Sequence, residues 1–169
     1  CLMNKRKFDI RVWVLVNQDM DLFFFREGYL RMSSTDYTNE SLTDDFVHLT
    51  NHAIQKNCPQ YGQQEDGNQL SFDDLRNYIR NETLDCEKFI DFDRDILPRM
   101  KYQAQVAMQS VSKKLNPAKR KHCFELFGLD FMLDSDMNCW LIEVNTNPDL
   151  EETSKLLQIL IPRLIDDLF

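Results

Sequence analysis

Glycine is scarce in this chain of 169 residues: the four present, Gly28, Gly62, Gly67 and Gly128, are too dispersed to form a phosphate-cradling run. The five cysteines (Cys1, Cys58, Cys86, Cys123, Cys139) include no C-x-x-C pair and are odd in number, which argues against a disulfide framework or a thiolate zinc site. They read as reduced, mostly structural thiols; His122 precedes Cys123, but adjacency in sequence does not make a nucleophile and base. No apolar run approaches the roughly 20 residues of a membrane helix, and the opening Cys1-Leu2-Met3-Asn4-Lys5-Arg6-Lys7 lacks the apolar core of a signal peptide. Basic residues, 20 against 28 acidic for a formal charge of -8, read as scattered along the chain, so no footprint for nucleic acid or an anionic membrane stands out. A soluble, cytoplasmic protein of one domain is expected.

What is present is alternation. From Lys7 to Val16, Phe8, Ile10, Val12, Val14 and Val16 are apolar while Lys7, Asp9 and Arg11 take the other face, the pattern of a half-buried strand. Leu22 to Phe25 reads as a second strand, and a Glu27-Gly28 turn leads into Tyr29 to Met32. Polar loops follow at Ser33 to Asp45 and Asn57 to Asn68, on either side of His48-Leu49-Thr50-Asn51. Ser71 is placed to cap a helix to about Arg80, and a longer helix is expected from about Ile96 to Leu115, ahead of Asn116-Pro117. Phe124 to Leu133 and Cys139 to Val144 read as strands joined by the turn Asp134 to Asn138. A helix from about Leu150 to Phe169 closes the chain; its stripe of Leu156, Leu157, Leu160, Leu164, Ile165 and Leu168 suits core packing, with a partner-helix interface as the alternative. The order of elements predicts an α+β domain with a largely antiparallel sheet and packed helices.

The last hairpin carries the most chemistry. If it is symmetric about Asp136 and Met137, Asp130 lies directly across from Glu143, with Leu129, Phe131, Leu133, Trp140, Ile142 and Val144 on a core face and Asp130, Met132, Leu141, Glu143 and Asn145 on the other. Opposed side chains stand roughly 4.5 to 5.5 Å apart at Cβ, where two like charges destabilise unless compensated. A divalent cation is the natural compensation: two carboxylates and an amide oxygen are hard ligands suited to magnesium that shares substrate phosphates. The alternative is a solvated sheet face, or a shifted register that separates the pair. Lys7, Asp9 and Arg11 project from one side of the first strand with Arg31 on a neighbour; they could neutralise phosphate and accept from ribose hydroxyls, or form an ordinary solvated face. The oxygens of His48-Leu49-Thr50-Asn51 could approach a phosphate or metal, and a turn with a buried Leu49 explains the motif equally well. Asp91-x-Asp93-x-Asp95 and Asp134-x-Asp136-x-Asn138 lack the glycine and glutamate of a calcium loop and read as acidic turns.

Taken together and in order, Lys7-Phe8-Asp9-Ile10-Arg11, Arg26-Glu27-Gly28-Tyr29-Leu30-Arg31, His48-Leu49-Thr50-Asn51, Phe124 to Asp130 and Leu141-Ile142-Glu143-Val144-Asn145 resemble the tubulin tyrosine ligase family. The resemblance implies an ATP-grasp fold and an ATP- and magnesium-dependent ligation of a free amino acid (tyrosine, glutamate or glycine) to a tubulin tail. It implies Lys7 and Asp9 as nucleotide contacts, Asp9 at the ribose, with Thr50 and Asn51 also at the nucleotide. Arg11 matches the arginine facing the acceptor carboxylate, Arg31 a phosphate-contacting arginine, and Asp130, Glu143 and Asn145 the magnesium ligands. Microtubules in the cytoplasm, cilium and basal body included, are the implied location.

Family members carry a region ahead of the Lys7 motif with further nucleotide-binding lysines and a glycine loop over the phosphates. Residues 1–169 therefore resemble the C-terminal half of the catalytic fold, and turnover is expected of the complete fold rather than of this stretch. The stretch from Asn51 to Lys56 with Tyr61-Gly62 and Glu65 to Asn68 looks closer to tyrosine ligases, whereas Asn145 to Leu150 looks more like glutamylases. An acidic tubulin tail asks for a basic groove, and a net charge of -8 supplies none, so docking is expected to rely on the preceding region or on local arginines. Two alternatives stand beside the ligase: a non-catalytic tubulin-binding or regulatory module on the same half-fold, and a small-molecule ligase, which would share the fold but not His48-Leu49-Thr50-Asn51.

Overall fold

The computed structural model describes residues 1–83 and 89–168; Cys86, and Phe169 at the end of the expected last helix, lie outside them. Ten residues of alternating pattern form β1 (Phe8–Asn17), which becomes the middle of a sheet. It pairs antiparallel with β2 (Leu22–Met32) on one side and β4 (Phe124–Leu133) on the other. β3 (Gln69–Ser71) extends the sheet beyond β2 and β5 (Cys139–Asn145) beyond β4, giving the order β3-β2-β1-β4-β5 with every pairing antiparallel. The α+β expectation holds.

Because β1 is central, both of its faces are used. Phe8, Ile10, Val12, Val14 and Val16 join Leu129, Phe131 and Leu133 of β4 in the main core. Leu75 and Ile79 of α3 (Phe72–Thr83) and Met100, Ala104 and Met108 of α4 (Leu97–Leu115) cover that face. On the reverse, Trp13, fully buried, sits with Phe25 and Tyr29 under Leu157, Leu160, Ile161 and Leu164 of α5 (Leu157–Leu168). The half-buried reading of the first strand is thus corrected: α5 seals the far half of its second face and leaves the near half to the charged residues.

Four boundaries differ from expectation. Leu22 to Phe25 and Tyr29 to Met32 are one strand without a turn. Gly28 lies opposite Val12, where the pairing shifts register, and a Cβ there would stand 2.6 Å from the Arg11 carbonyl oxygen. Close approach of two backbones, not a turn, demands glycine at this position. The Ser71 cap forms as expected: its Oγ accepts from the Asp74 N–H at 3.1 Å while the Asp74 carboxylate accepts from the Ser71 N–H at 2.8 Å, and α3 runs on to Thr83. A π-helical turn, Phe92–Ile96, capped by Asp91, precedes α4. The last helix begins at Leu157 rather than Leu150, because the buried Ser154 hydroxyl accepts from the Leu157 N–H at 3.1 Å and caps it there.

The final hairpin keeps the expected pairing of Asp130 with Glu143, then slips. Leu129 faces Val144 and Asp130 faces Glu143, but Phe131 faces Leu141, so Ile142 is an extra residue in a β-bulge. Beyond the bulge the alternation inverts: Cys139 is buried and Leu141 packs on the core, whereas Trp140 and Ile142 are each 58% exposed. Trp140 and Ile142 are therefore not on the core face that a symmetric hairpin would give, and Val144, in register ahead of the bulge, is exposed on the edge strand. The turn is an acidic one, with Asp134 accepting from the Asp136 and Asn138 N–H groups at 2.9 Å. The Trp140 indole N–H, together with the Asn138 and Asp136 amides, holds the Asp134 carboxyl down at about 2. Among the described residues no helix is long and apolar enough to cross a membrane.

Candidate functional site

Register alone assembles the charged centre. Asp9 on β1 is opposite Arg31 on β2, and Arg11, two residues on and so on the same face, is opposite Asp130 on β4. The Arg31 guanidinium donates to Asp9 through Nε and Nη2, both at 2.7 Å, and Nη2 also donates to Asp130 at 2.7 Å. Arg11 donates to both oxygens of Asp130, through Nε to Oδ1 and, at 3.0 Å, through Nη2 to Oδ2, the oxygen that Arg31 also uses. The result is an unbroken row, Asp9, Arg31, Asp130, Arg11, of two cations and two anions, all buried. It is no ordinary solvated face.

Burial opposes ionisation of Asp130, yet the hydrogen bond from Arg11 and the positive charges of Arg31 and Arg11 outweigh it and hold the carboxyl below the usual carboxylate range. Arg31 is likewise desolvated, and Asp9 more than offsets this, so its guanidinium is held above its ordinary value. The same burial pushes the hydroxyl of nearby Tyr29 up.

A polar loop closes over it. The short helix α1 (Asp45–His48), capped by the Asp44 side chain, delivers Leu49 to Asn51 into the cleft ahead of α2 (His52–Gln55). The Thr50 hydroxyl donates to Asp9, and the Lys7 ammonium donates to the His48 carbonyl. Thr50 is buried while Leu49 is 38% exposed, which corrects the reading of the motif as a turn around a buried leucine.

The residue that fixes this loop was not legible in the sequence. Gln55, fully buried, accepts from the Ser34 N–H at 2.8 Å and from the Ser34 hydroxyl. Its amide donates to the Phe46 carbonyl at 3.1 Å and to that of Leu49. A glutamine four positions past a motif gives no local signal; only the fold returns it to β2's end. Gln55→Leu keeps the volume but strands those partners, at a cost of about 2–3 kcal/mol. Faster amide hydrogen exchange across residues 46–51, with β1 and β4 still protected, is the expected result, and unchanged exchange in that loop would refute the anchoring role.

The bulge at Ile142 turns the side chains of Ile142 and Glu143 toward the same cleft, whose lining includes Lys7, Asp9, Arg31, Thr50, Asn51 and Asp130. Glu143 is exposed and, among the described residues, makes no hydrogen bond or ion pair. Asn145 pairs with Gly128, toward whose carbonyl its Nδ2 donates at 3.4 Å, and lies along β5 from Glu143 outside the cleft lining. Arg11 reaches the cleft through Asp130. The like-charge repulsion expected of Asp130 and Glu143 is already relieved by the two guanidinium groups, so no cation is needed to hold the hairpin together. Among the described residues no three His, Cys, Asp or Glu side chains converge as a metal cluster. The donor set of Asp130, Glu143 and the Asn145 amide is all oxygen, which fits a hard divalent cation that completes its shell with water or phosphate.

A buried row of alternating carboxylates and arginines, an exposed carboxylate beside it and a hydroxyl-bearing loop above it thus meet on one α+β domain. No cysteine lines the cleft. The chain belongs to the tubulin-tyrosine ligase family, whose sequence profile matches residues 1–169. It is 36% identical over 171 residues to tubulin glycylase 3D of Tetrahymena thermophila, covering 98% of this chain and 16% of that protein. It is 37% identical over 163 residues to the probable tubulin polyglutamylase TTLL9 of Rattus norvegicus, covering 91% of this chain and 32% of that protein. To the human tubulin polyglutamylase TTLL5 the identity is 29% over 178 residues, 99% of this chain and 14% of that protein. The chain thus spans a third or less of these relatives' length.

Proposed function

We propose that this chain is the phosphoryl-transfer half of an ATP-grasp ligase that joins an amino acid to a tubulin tail. The observation that carries the reading is the cross-strand row of Asp9, Arg31, Asp130 and Arg11 with Thr50 and Glu143 facing the same cleft. Lys7, Asp9, Thr50 and Asn51 hold the nucleotide, Asp9 accepting from the ribose. Arg31 contacts the phosphates, and Arg11 faces the acceptor carboxylate. Asp130, Glu143 and Asn145 would hold magnesium, which supplies neutralisation of charge on the transferring phosphoryl group.

In this reading the tail carboxylate takes the terminal phosphoryl group of ATP, releasing ADP and leaving an acyl phosphate. The amine of the incoming amino acid then attacks that carbonyl, forming the C–N bond as phosphate leaves. Arg11 and Arg31 stabilise charge on both phosphoryl and leaving phosphate, and their fixed attachment to Asp130 means they need little reorganisation when that charge develops. No nucleophile from the protein is required.

The relatives' names, glycylase and polyglutamylase, together with the stretch Asn145 to Leu150, favour glycine or glutamate over tyrosine. A second reading, a binding module without turnover, draws on the saturation of Asp130 by two arginines, which would hold the fold with no ligand bound. Transfer of radiolabelled tyrosine, glutamate and glycine to tubulin, with and without ATP and magnesium, separates the two when run on the full-length polypeptide containing this chain. ATP-dependent label from one amino acid is expected. A folded protein that transfers none, beside an active control enzyme, would leave the binding module.

A further inference from the structure

The basic residues are not evenly scattered along the chain, although the net charge alone suggests it. Lys113 and Lys114 end α4, and Lys119, Arg120 and Lys121 follow in the loop to β4, so one short segment holds five of the chain's 20 lysines and arginines with no acidic residue among them. All five are exposed, and among the described residues none forms an ion pair. The loop is held rather than slack. The Asn116 side chain accepts from the Arg120 N–H at 2.8 Å and donates to the Arg120 carbonyl at 2.9 Å, and the Gln18 side chain accepts from the His122 N–H. Lys119 and His122 adopt φ of +47° and +56°, a left-handed backbone that costs non-glycine residues free energy and that recurs at binding sites. Beside the loop a cleft is lined by Leu115, Pro117, Arg120, the half-exposed Phe124 and, at its β4 side, Glu125, the one acidic residue in that lining.

We propose that this basic α4–β4 loop is a docking site for an acidic peptide, a segment rich in glutamate and aspartate; identifying that segment with the tubulin tail rests on the reading under Proposed function. Charge complementarity selects the occupant. Outside the patch the other 15 basic residues stand against 28 acidic ones, so the rest of the chain supplies no net positive charge of the kind that a long polyanion or an anionic membrane requires. A short flexible acidic peptide needs only the patch. The loop joins β4 at Phe124, six residues from Asp130 along the strand, about 20 Å away at the rise of an extended chain. It is therefore separate from the charged row and would grip the acceptor chain at a distance from the modified residue, where it adds affinity and selects acidic sequences.

Fluorescence anisotropy with a labelled oligoglutamate peptide tests this, comparing the full-length protein with its Lys114→Glu/Arg120→Glu/Lys121→Glu variant. Wild-type binding that weakens steeply between about 50 and 200 mM salt, and at least tenfold weaker binding by the variant, is expected. If charge reversal impairs folding, judged by circular dichroism, the glutamine versions of the same three residues replace it, with about fivefold weakening expected. Undiminished peptide binding by a folded variant would overturn the proposal. So would tighter wild-type binding to oligouridylate or to phosphatidylserine vesicles, lost in the same variant, which would make the patch a nucleic-acid or membrane contact. Because anisotropy needs no turnover, the two readings fail separately: patch-dependent binding without ATP-dependent incorporation would sink the ligase alone, and incorporation with patch-independent binding would sink the docking site alone.

Discussion

Glu143→Gln is expected to abolish ATP-dependent amino acid transfer, by at least about a thousandfold or some 4 kcal/mol of transition-state stabilisation, while leaving thermal stability within about 0.5 kcal/mol of wild type. The asymmetry follows from where the side chain stands. Glu143 is exposed, and among the described residues it has no polar partner, so its charge contributes nothing that holds the sheet together. Yet the Ile142 bulge aims it into the cleft beside Asp130. On the proposed reading that carboxylate acts only when a cation is bound. Transfer rates measured beside a melting curve decide the matter. Near-normal transfer would remove Glu143 from the magnesium site, and a large fall in melting temperature would show that the residue is structural after all.

Asp130→Asn is expected to behave oppositely with respect to stability. Asp130 is buried and accepts from both Arg11 and Arg31, and the variant leaves Arg31 with the Asp9 carboxylate but deprives the buried Arg11 guanidinium of its carboxylate partner. Removing one partner from a buried ionic network costs about 3–5 kcal/mol, which for a domain of this size lowers the melting temperature by roughly 10–15 °C. A pH signature accompanies it. The folded-state carboxyl lies below its unfolded value, so its contribution is fully present above the ordinary carboxylate range near 4 and is lost as pH falls through the folded value. Wild type should therefore lose stability toward low pH more steeply than the variant. Urea titrations between neutral pH and about pH 3 measure both effects, and parallel acid profiles for the two proteins would contradict the network.

Read side by side, the two substitutions divide a site whose members look alike in the sequence. Asp130 and Glu143 are both carboxylates on neighbouring strands, directly opposed. One is saturated with guanidinium groups and is predicted to serve fold and ligand together; the other, exposed, is predicted to serve the ligand alone. Gln55 belongs to a third kind, a residue that touches no ligand but fixes the loop bearing Thr50 over Asp9.

The sequence by itself determined what depends on neighbours along the chain. Alternation over Lys7 to Val16 specified a strand with Asp9 and Arg11 on one face, because side-chain direction repeats every two residues. The Ser71 cap, the acidic turn at Asp134 and the opposition of Asp130 and Glu143 followed from local turn chemistry and hairpin geometry. Tertiary structure decided everything that required distant strands to meet. Pairing of β1 with β4 across more than a hundred residues set Arg11 on Asp130, and pairing with β2 set Arg31 on Asp9, which turned a solvated-looking face into a buried ionic row. It also decided the single-residue bulge at Ile142, which no composition signals. Side chains in a strand alternate with period two, so one inserted residue exchanges the faces beyond it, sending Leu141 to the core and Trp140 to the surface. Local rules fix which residues can share a face; only the packed sheet fixes what that face meets.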